Sequence, residues 1–225
     1  HARLADESVC IGPGPSLNSY LNIPNLMSAA ELCGVDALHP GYGFLAESSE
    51  LADVCKLHGI KFIGPTAEQI KLLGDKIEAR RVAKEAGVPL LPGSQGAIKS
   101  KEEVLTLASD IGYPLLIKAA AGGGGKGMKI VYSVEELISQ YELAGKEAMA
   151  CFGSSECFIE RFLENPRHIE VQVLADEYGN LQIWGERDCS LQRRLQKIVE
   201  EAPCAFLTEE ERRKVATYAK KLVQH

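Results

Sequence analysis

The chain has 225 residues, 45% of them apolar, and carries a formal net charge of −6. That length suffices for one large domain or two to three small ones of ordinary globular composition, and the acidic balance excludes nucleic acid as an obvious partner. Seven cysteines and five histidines are scattered without a CxxC pair or a ligand-like cluster, which argues against structural zinc and for a reducing compartment, with the cytoplasm (or a mitochondrial matrix) expected. No signal peptide is legible and no apolar run is long enough to cross a membrane. The opening at His1 and the closing at His225, directly behind a helical stretch, read as the edges of a fragment.

In chain order, Ser8-Val9-Cys10-Ile11 is predicted as a short strand ended by Gly12-Pro13-Gly14-Pro15. Ser28 to Cys33 has a helical pattern with Gly34 as its stop. Val35 to Leu38 is a second short strand, followed by the loop His39-Pro40-Gly41-Tyr42-Gly43-Phe44-Leu45. Glu50 to His58 is predicted helical, and Ile60 to Ile63 is a strand ended by Gly64-Pro65. Short apolar strands alternating with helices imply a parallel α/β sheet, in which ligands bind beyond the C-terminal ends of strands. The His39 loop has that position; it is equally readable as a tight Pro/Gly turn.

Thr66 and Gln69 fit a capping box, and a second helix runs from about Asp75 to Ala86. Lys76 lies in its first turn, where the helix dipole mildly disfavours a cation. Ser100 caps a further helix, and Gly112-Tyr113-Pro114 separates it from an apolar strand ending at Lys118.

Then comes the run Gly122-Gly123-Gly124-Gly125-Lys126-Gly127, with a strand-like Met128 to Tyr132 behind it. Adjacent glycines are entropically expensive to order, and are useful where backbone N–H groups must approach a phosphate. The spacing is neither that of the P-loop nor that of the dinucleotide fingerprint. A plain glycine-rich hairpin stays open as an alternative. Ser133 caps a helix reaching about Met149, and Cys157 to Leu163 reads as a strand leaving this unit. The unit, small and α+β, has the proportions of a lid that could close over a ligand and exclude water.

His168 to Ala175 alternates, with Ile169, Val171 and Val173 on one face and His168, Glu170 and Gln172 on the other. Asp176 to Asn180 is a hairpin loop, and Leu181 to Trp184 returns. The dense polar segment Glu186 to Lys197 is either a charged surface or the lining for an anion, with Arg193, Arg194 and Lys197 close in sequence. Thr208 to Glu211 caps the last helix.

These stretches together resemble the biotin carboxylase component of the biotin-dependent carboxylases, within the ATP-grasp superfamily. The resemblance rests on His39 to Leu45, Gly74-Asp75-Lys76, Ala86-Gly87-Val88-Pro89, Lys118 with Gly122 to Met128, Glu164-Asn165-Pro166-Arg167-His168-Ile169-Glu170, and Glu186 to Ser190 with Gln192-Arg193-Arg194 and Gln196-Lys197. It spans essentially the whole chain.

The resemblance implies an α/β fold: a partial dinucleotide-like (pre-ATP-grasp) parallel-sheet domain over 1–62 and a helical linker over 63–90. An ATP-grasp fold follows, with a mobile α+β lid over 91–163 and the start of the C-terminal domain over 164–225. It implies ATP-dependent carboxylation of biotin on a carrier protein or domain by bicarbonate, through carboxyphosphate. Lys76 and Lys118 would hold ATP phosphates, and Gly123, Gly124, Gly125 and Gly127 would fold over them. Glu160, Arg161 and Leu163 would stand at the adenine edge, and His168, Glu170 and Gln192 around ribose and phosphates. Lys197 would face bicarbonate or the carboxyphosphate. Magnesium (or manganese) ligands are expected outside this stretch, so the fragment alone is expected to be inactive. A homodimer and a separate carboxyltransferase component are the implied partners. Leu195 departs from the family, which usually has histidine there, and this puts some nucleotide contacts in doubt. The alternatives are another ATP-grasp carboxylate or carbamate ligase, or a non-catalytic nucleotide-binding regulator.

Overall fold

The computed structural model describes residues 3–120, 128–193 and 196–225. The chain divides into two compact units, His1–Gly74 and Asp75–His225.

In the first unit, the 3-10 turn Ser16–Asn18 leads to α1 (Ile23–Leu32). β1 (Ala37–Leu38), the 3-10 turn Phe44–Glu47, α2 (Ser49–Leu57), β2 (Lys61–Phe62) and α3 (Ala67–Gly74) follow. β1 and β2 pair in parallel, Ala37 with Lys61 and Leu38 with Phe62. This is the expected α/β arrangement. A parallel pair needs a crossover, and α2 supplies it. α2 packs fully buried Leu51 and Cys55 against Met27 and Ala30 of α1.

Two expectations need correction here. Ser8 to Ile11 forms no strand. Its alternating residues find no ladder partner, and the Ile11 carbonyl instead accepts from Asn25 Nδ2 at 2.9 Å. α1 begins five residues before Ser28. Pro24, which reads as a breaker, stands in the first turn, where a missing N–H costs nothing. The Asn22 side chain caps that turn by accepting from Asn25 N at 3.0 Å.

The second unit opens with α4 (Lys76–Glu85), capped by Asp75, whose carboxylate accepts from the N–H groups of Ile77 and Glu78 at 2.8 and 3.0 Å. Next come α5 (Lys101–Ile111), β3 (Leu115–Ala119), β4 (Lys129–Val131), α6 (Val134–Phe152) and β5 (Cys157–Arg161). The three strands form an antiparallel sheet in the order β4-β3-β5. The helices cover one face, against which Leu115, Ile117, Val131 and Ile159 are completely buried with Val104 and Leu137. Each such side chain contributes about 1.5–3 kcal/mol by leaving water. The strand expected over Cys157 to Leu163 is β5, the last of this unit, and it ends two residues earlier at Arg161. It pairs with β3 along its whole length, from Leu115 opposite Arg161 to Ala119 opposite Cys157. The other edge of β5 is also satisfied: Arg161 N donates to Pro92 O and Ser94 N to Ile159 O, both at 2.8 Å.

β6 (Ile169–Ala175) and β7 (Leu181–Asp188) form an antiparallel hairpin with a bulge between Val171 and Val173. The return strand is four residues longer than predicted, because past the bulge Glu186, Arg187 and Asp188 pair with Val171, Glu170 and Ile169. β8 (Gln192–Arg193) pairs with β9 (Gln196–Lys197). α7 (Glu209–Gln224), with Thr208 and Glu211 forming its capping box, is tied to β7 by the Arg212 ion pair to buried Glu186. No helix among the described residues is long and apolar enough to cross a membrane.

Candidate functional site

Strand parity builds the first charged cluster. Leu115, Ile117 and Ala119 of β3 point into the core, so Leu116 and Lys118 occupy the opposite face. On β5, Cys157 and Ile159 share the core face, which puts Phe158 and Glu160 with Lys118. Lys118 faces Phe158 directly and Glu160 diagonally, within reach of a long side chain. Its Nζ donates to Glu160 Oε1. The second oxygen, Oε2, accepts from Arg80 Nη1 on α4 at 3.3 Å, while Arg80 Nη2 donates to Leu91 O at 2.9 Å. Glu160 is only 6% exposed. Lys76, at the start of the same helix, is half-buried and close enough to sense both charges. Burial first, and the Lys118 ammonium second, push its amine below the usual lysine range, against the pull of Glu160.

Three cations therefore surround one buried carboxylate. Concentrating positive charge where water is scarce is unfavourable unless an anion can enter.

The second cluster stands on the β6–β7 hairpin and β9. Glu170 lies opposite Arg187. Arg187 reaches Glu170 Oε1 from Nε at 2.8 Å and from Nη2 at 2.7 Å, and Lys197 Nζ donates to Oε2 at 2.5 Å. Burial alone would raise the Glu170 carboxyl, but hydrogen bonds from Lys197 and Arg187 outweigh it and hold the group below the ordinary range. Reciprocally, the hydrogen bond to Glu170 holds the Lys197 amine above its ordinary value, so it stays cationic at neutral pH. His168 is exposed. Its Nδ1 lies 2.7 Å from Gln192 Nε2, and Gln192 Nε2 also donates to Cys189 O at 3.0 Å. The turn beneath is fixed by Asp188, which accepts from Ser190 N at 2.9 Å and from Ser190 Oγ at 2.5 Å, while Ser190 Oγ accepts from His168 N at 2.9 Å.

The structure thus brings Lys76, Lys118 and Glu160 together, and separately His168 with Gln192 and Glu170 with Lys197. It does not bring the Arg161 side chain to Glu160: strand parity turns it to the α5 end, where Nη1 donates to Ile111 O at 3.2 Å. Leu163 lies beyond β5 and is exposed. Gly123, Gly124, Gly125, Gly127 and Leu195 lie outside the described residues. Arg80 and the direct role of Arg187 escaped the sequence reading. The helical register of α4, which places Lys76 and Arg80 one turn apart on one face, is the signal that could have found Arg80.

Two clefts, of about 240 and 400 Å³, lie on the hairpin side, and neither is lined by Lys76, Arg80, Lys118 or Glu160. The first runs between the hairpin and α7. The second is bounded by Arg167, Asp188 and Phe206, with the Arg167 guanidinium 3.3 Å from the Phe206 ring centre. Among the described residues, Glu170, Cys189 and Glu200 are the group of three with metal-ligating atoms in mutual reach. They do not fit magnesium. Lys197 and Arg187 already face both carboxylates, at 2.5 to 3.9 Å, and a thiol is a poor partner for so hard a cation.

Residues 1–70 match the family model of the biotin carboxylase N-terminal domain, and residues 75–225 that of the carbamoyl-phosphate synthase L chain ATP binding domain. The biotin carboxylase of a Nostoc species is 52% identical over 224 residues, covering 100% of this chain and 50% of that protein. The Pseudomonas aeruginosa biotin carboxylase is 53% identical over 216 residues, covering 96% and 48%. Among solved structures, a β,γ-ATP complex of Campylobacter jejuni biotin carboxylase matches with a TM-score of 0.87 and 48% identity, over 99% of this chain and 50% of that one. The biotin carboxylase domain dimer of Hydrogenobacter thermophilus 2-oxoglutarate carboxylase, solved with MgADP, ADP and bicarbonate, matches with a TM-score of 0.83 and 48% identity, over 99% and 49%. The chain spans about half the length of the relatives it matches. With both family models in register and half of all residues shared with these relatives, the chain belongs to the biotin carboxylase family, its residues 75–225 being of the ATP-grasp type.

Proposed function

We propose that this chain carries the nucleotide-binding portion of an ATP-dependent ligase that carboxylates biotin with bicarbonate. The observation that carries the reading is the cluster of Lys76, Arg80 and Lys118 about the buried Glu160. A triphosphate entering there would neutralise charge that the fold has concentrated at a cost. Lys76 and Lys118 hold phosphate oxygens, and the backbone of Gly123 to Gly127 folds over them. Backbone groups at Glu160, Arg161 and Leu163 read the adenine edge, while His168, Glu170 and Gln192 line ribose and phosphates. The lid over 91–163 closes on the bound nucleotide.

A bicarbonate oxygen then attacks the terminal phosphorus as its bond to the ADP oxygen breaks, giving carboxyphosphate. Negative charge collects on the transferred group and on bicarbonate, and fixed cations stabilise it. Lys197 serves here: the Glu170 carboxylate keeps it protonated and aimed, with no proton to gain or lose during the step. The carboxyl group passes from carboxyphosphate to N1 of biotin on a carrier protein or domain as its bond to phosphate breaks, inorganic phosphate leaving with the N1 proton, and a carboxyltransferase component moves the carboxyl group onward. The nucleotide is taken up as its magnesium complex, whose ligands are expected outside this stretch and not at Glu170 and Glu200, which Arg187 and Lys197 face. The chain acts as a homodimer in the cytoplasm or a mitochondrial matrix.

The test is phosphate release from ATP by the protein, with and without bicarbonate and free biotin. Release that requires bicarbonate and rises with biotin is expected. Release indifferent to both would overturn the reading in favour of another ATP-grasp ligase.

A further inference from the structure

Buried carboxylates need a counter-charge, and Glu160 has two, one for each oxygen. A problem arises if Lys118 serves an incoming phosphate. Its ammonium must turn from Glu160 Oε1 toward the ligand, and a buried anion would be left uncovered. The second partner solves this. Arg80 holds Oε2 through Nη1 and is itself anchored by Nη2 on the Leu91 carbonyl, so its planar fork spans two fixed acceptors on different segments. The room for that fork is made by Gly93. A Cβ there would stand 2.7 Å from Ile159 O, 3.0 Å from Glu160 Cβ and 3.1 Å from Arg80 Nη2. Neighbouring Arg81 has a different function: it pairs within its own helix, with Glu78 and Glu85.

We propose that Arg80 is a positioning residue that, by sharing the Glu160 carboxylate, frees Lys118 to bind the phosphate of a nucleotide. The inference rests on the nucleotide reading above. Without Arg80, every departure of Lys118 strips a buried carboxylate of its close partner, so Lys118 is retained by Glu160 and the ligand loses it. Lysine at position 80 would reach only one of the two acceptors and restore the function in part.

The experiment compares Arg80→Met, Arg80→Lys, Glu160→Gln and the double variant Arg80→Met/Glu160→Gln. One readout is the equilibrium affinity for ATP by calorimetry. The other, in nucleotide-free protein, is the rate of Lys118 acetylation by acetic anhydride, followed by mass spectrometry. Arg80→Met is expected to weaken ATP binding about tenfold and to slow Lys118 acetylation about three- to tenfold. Arg80→Lys recovers part of each, and neither effect appears in the Glu160→Gln background. An equal loss of affinity with and without Glu160 overturns the proposal, because Arg80 would then act on the nucleotide or on the Leu91 segment directly. Unchanged acetylation in Arg80→Met also overturns it. Slowed acetylation with unchanged ATP affinity would instead refute the phosphate role of Lys118 and leave the charge sharing in place. If Arg80→Met does not fold, Arg80→Gln, which keeps a donor for Leu91 O, is read in the same way.

Discussion

Replacing Lys118 by alanine separates what the lysine does for the fold from what it does for a ligand. In the fold it is one of two direct partners of Glu160, whose side chain is 8% exposed. Breaking a buried pair outright costs about 3–5 kcal/mol. Here Arg80 keeps its 3.3 Å contact with the other oxygen, so the expected loss is smaller, about 1–3 kcal/mol. In a chain of this size that lowers Tm by about 2–4 °C per kcal/mol. For the ligand, a charge-assisted hydrogen bond to phosphate is worth about 1.5–3 kcal/mol, which is a factor of about 10–150 in Kd. Glu160→Gln is the matched control. It removes the same ion pair and costs stability in the same way, yet it releases the lysine, so ATP affinity is expected to hold or rise. Calorimetric titration with ATP and thermal unfolding followed by circular dichroism read both quantities on each variant. A Lys118→Ala protein that melts lower but binds ATP within twofold of the parent would refute the reasoning. The lysine would then serve only as a partner for Glu160.

Three further outcomes are expected. Lys197→Met should cut bicarbonate-dependent phosphate release by about 10²-fold or more while leaving the ATP Kd nearly unchanged; an unaltered rate would remove Lys197 from the chemistry. Gly93→Ala should destabilise the chain by about 1–3 kcal/mol, since a backbone oxygen 2.7 Å from the new Cβ must move; a melting temperature equal to that of the parent would show that β5 gives way freely. Glu170 is held below its ordinary value of 4.5 in the folded chain, so between that lower value and 4.5 the unfolded state binds more protons. The stability it contributes is complete above 4.5 and is lost as pH falls through the folded value. The Tm gap between the parent and Glu170→Gln should therefore shrink on acidification below 4.5, and a gap that is constant with pH would contradict the ion-pair account.

The parts of the fold legible in the sequence are those fixed by residues a few positions apart. Thr66 with Gln69, and Thr208 with Glu211, sit three residues apart, and both boxes close as read, Thr66 N donating to Gln69 Oε1 at 2.8 Å and Thr208 N to Glu211 Oε2 at 2.8 Å. The alternation from Leu115 to Ala119 assigns Lys118 to the face away from the core without any knowledge of what lies there. Glycine stops are equally local: Gly34, Gly59 and Gly87 each take a positive φ just after a helix. Where a strand depends on a distant partner, the same logic fails. Ser8 to Ile11 has the composition of a strand and no ladder to join, whereas Glu186 to Asp188 has the composition of a polar surface and is held in register by Ile169 to Val171.

The site divides along the same line. Arg80 and Arg81 are adjacent arginines on one amphipathic helix, and only the one-turn spacing of Arg80 from Lys76 distinguishes them in the sequence. Arg81 finds its partners three residues before and four after it, as any surface arginine on a helix does. Arg80 finds its partner 80 residues later, on a strand that reaches it only because β5 pairs with β3 and turns Glu160 away from the core. Sequence can therefore nominate Lys76 and Lys118 as cations for a phosphate, but it cannot show that the carboxylate between them is shared. The sharing follows from the tertiary packing. It turns a lysine that would otherwise be locked in a buried ion pair into one that can exchange that partner for a ligand.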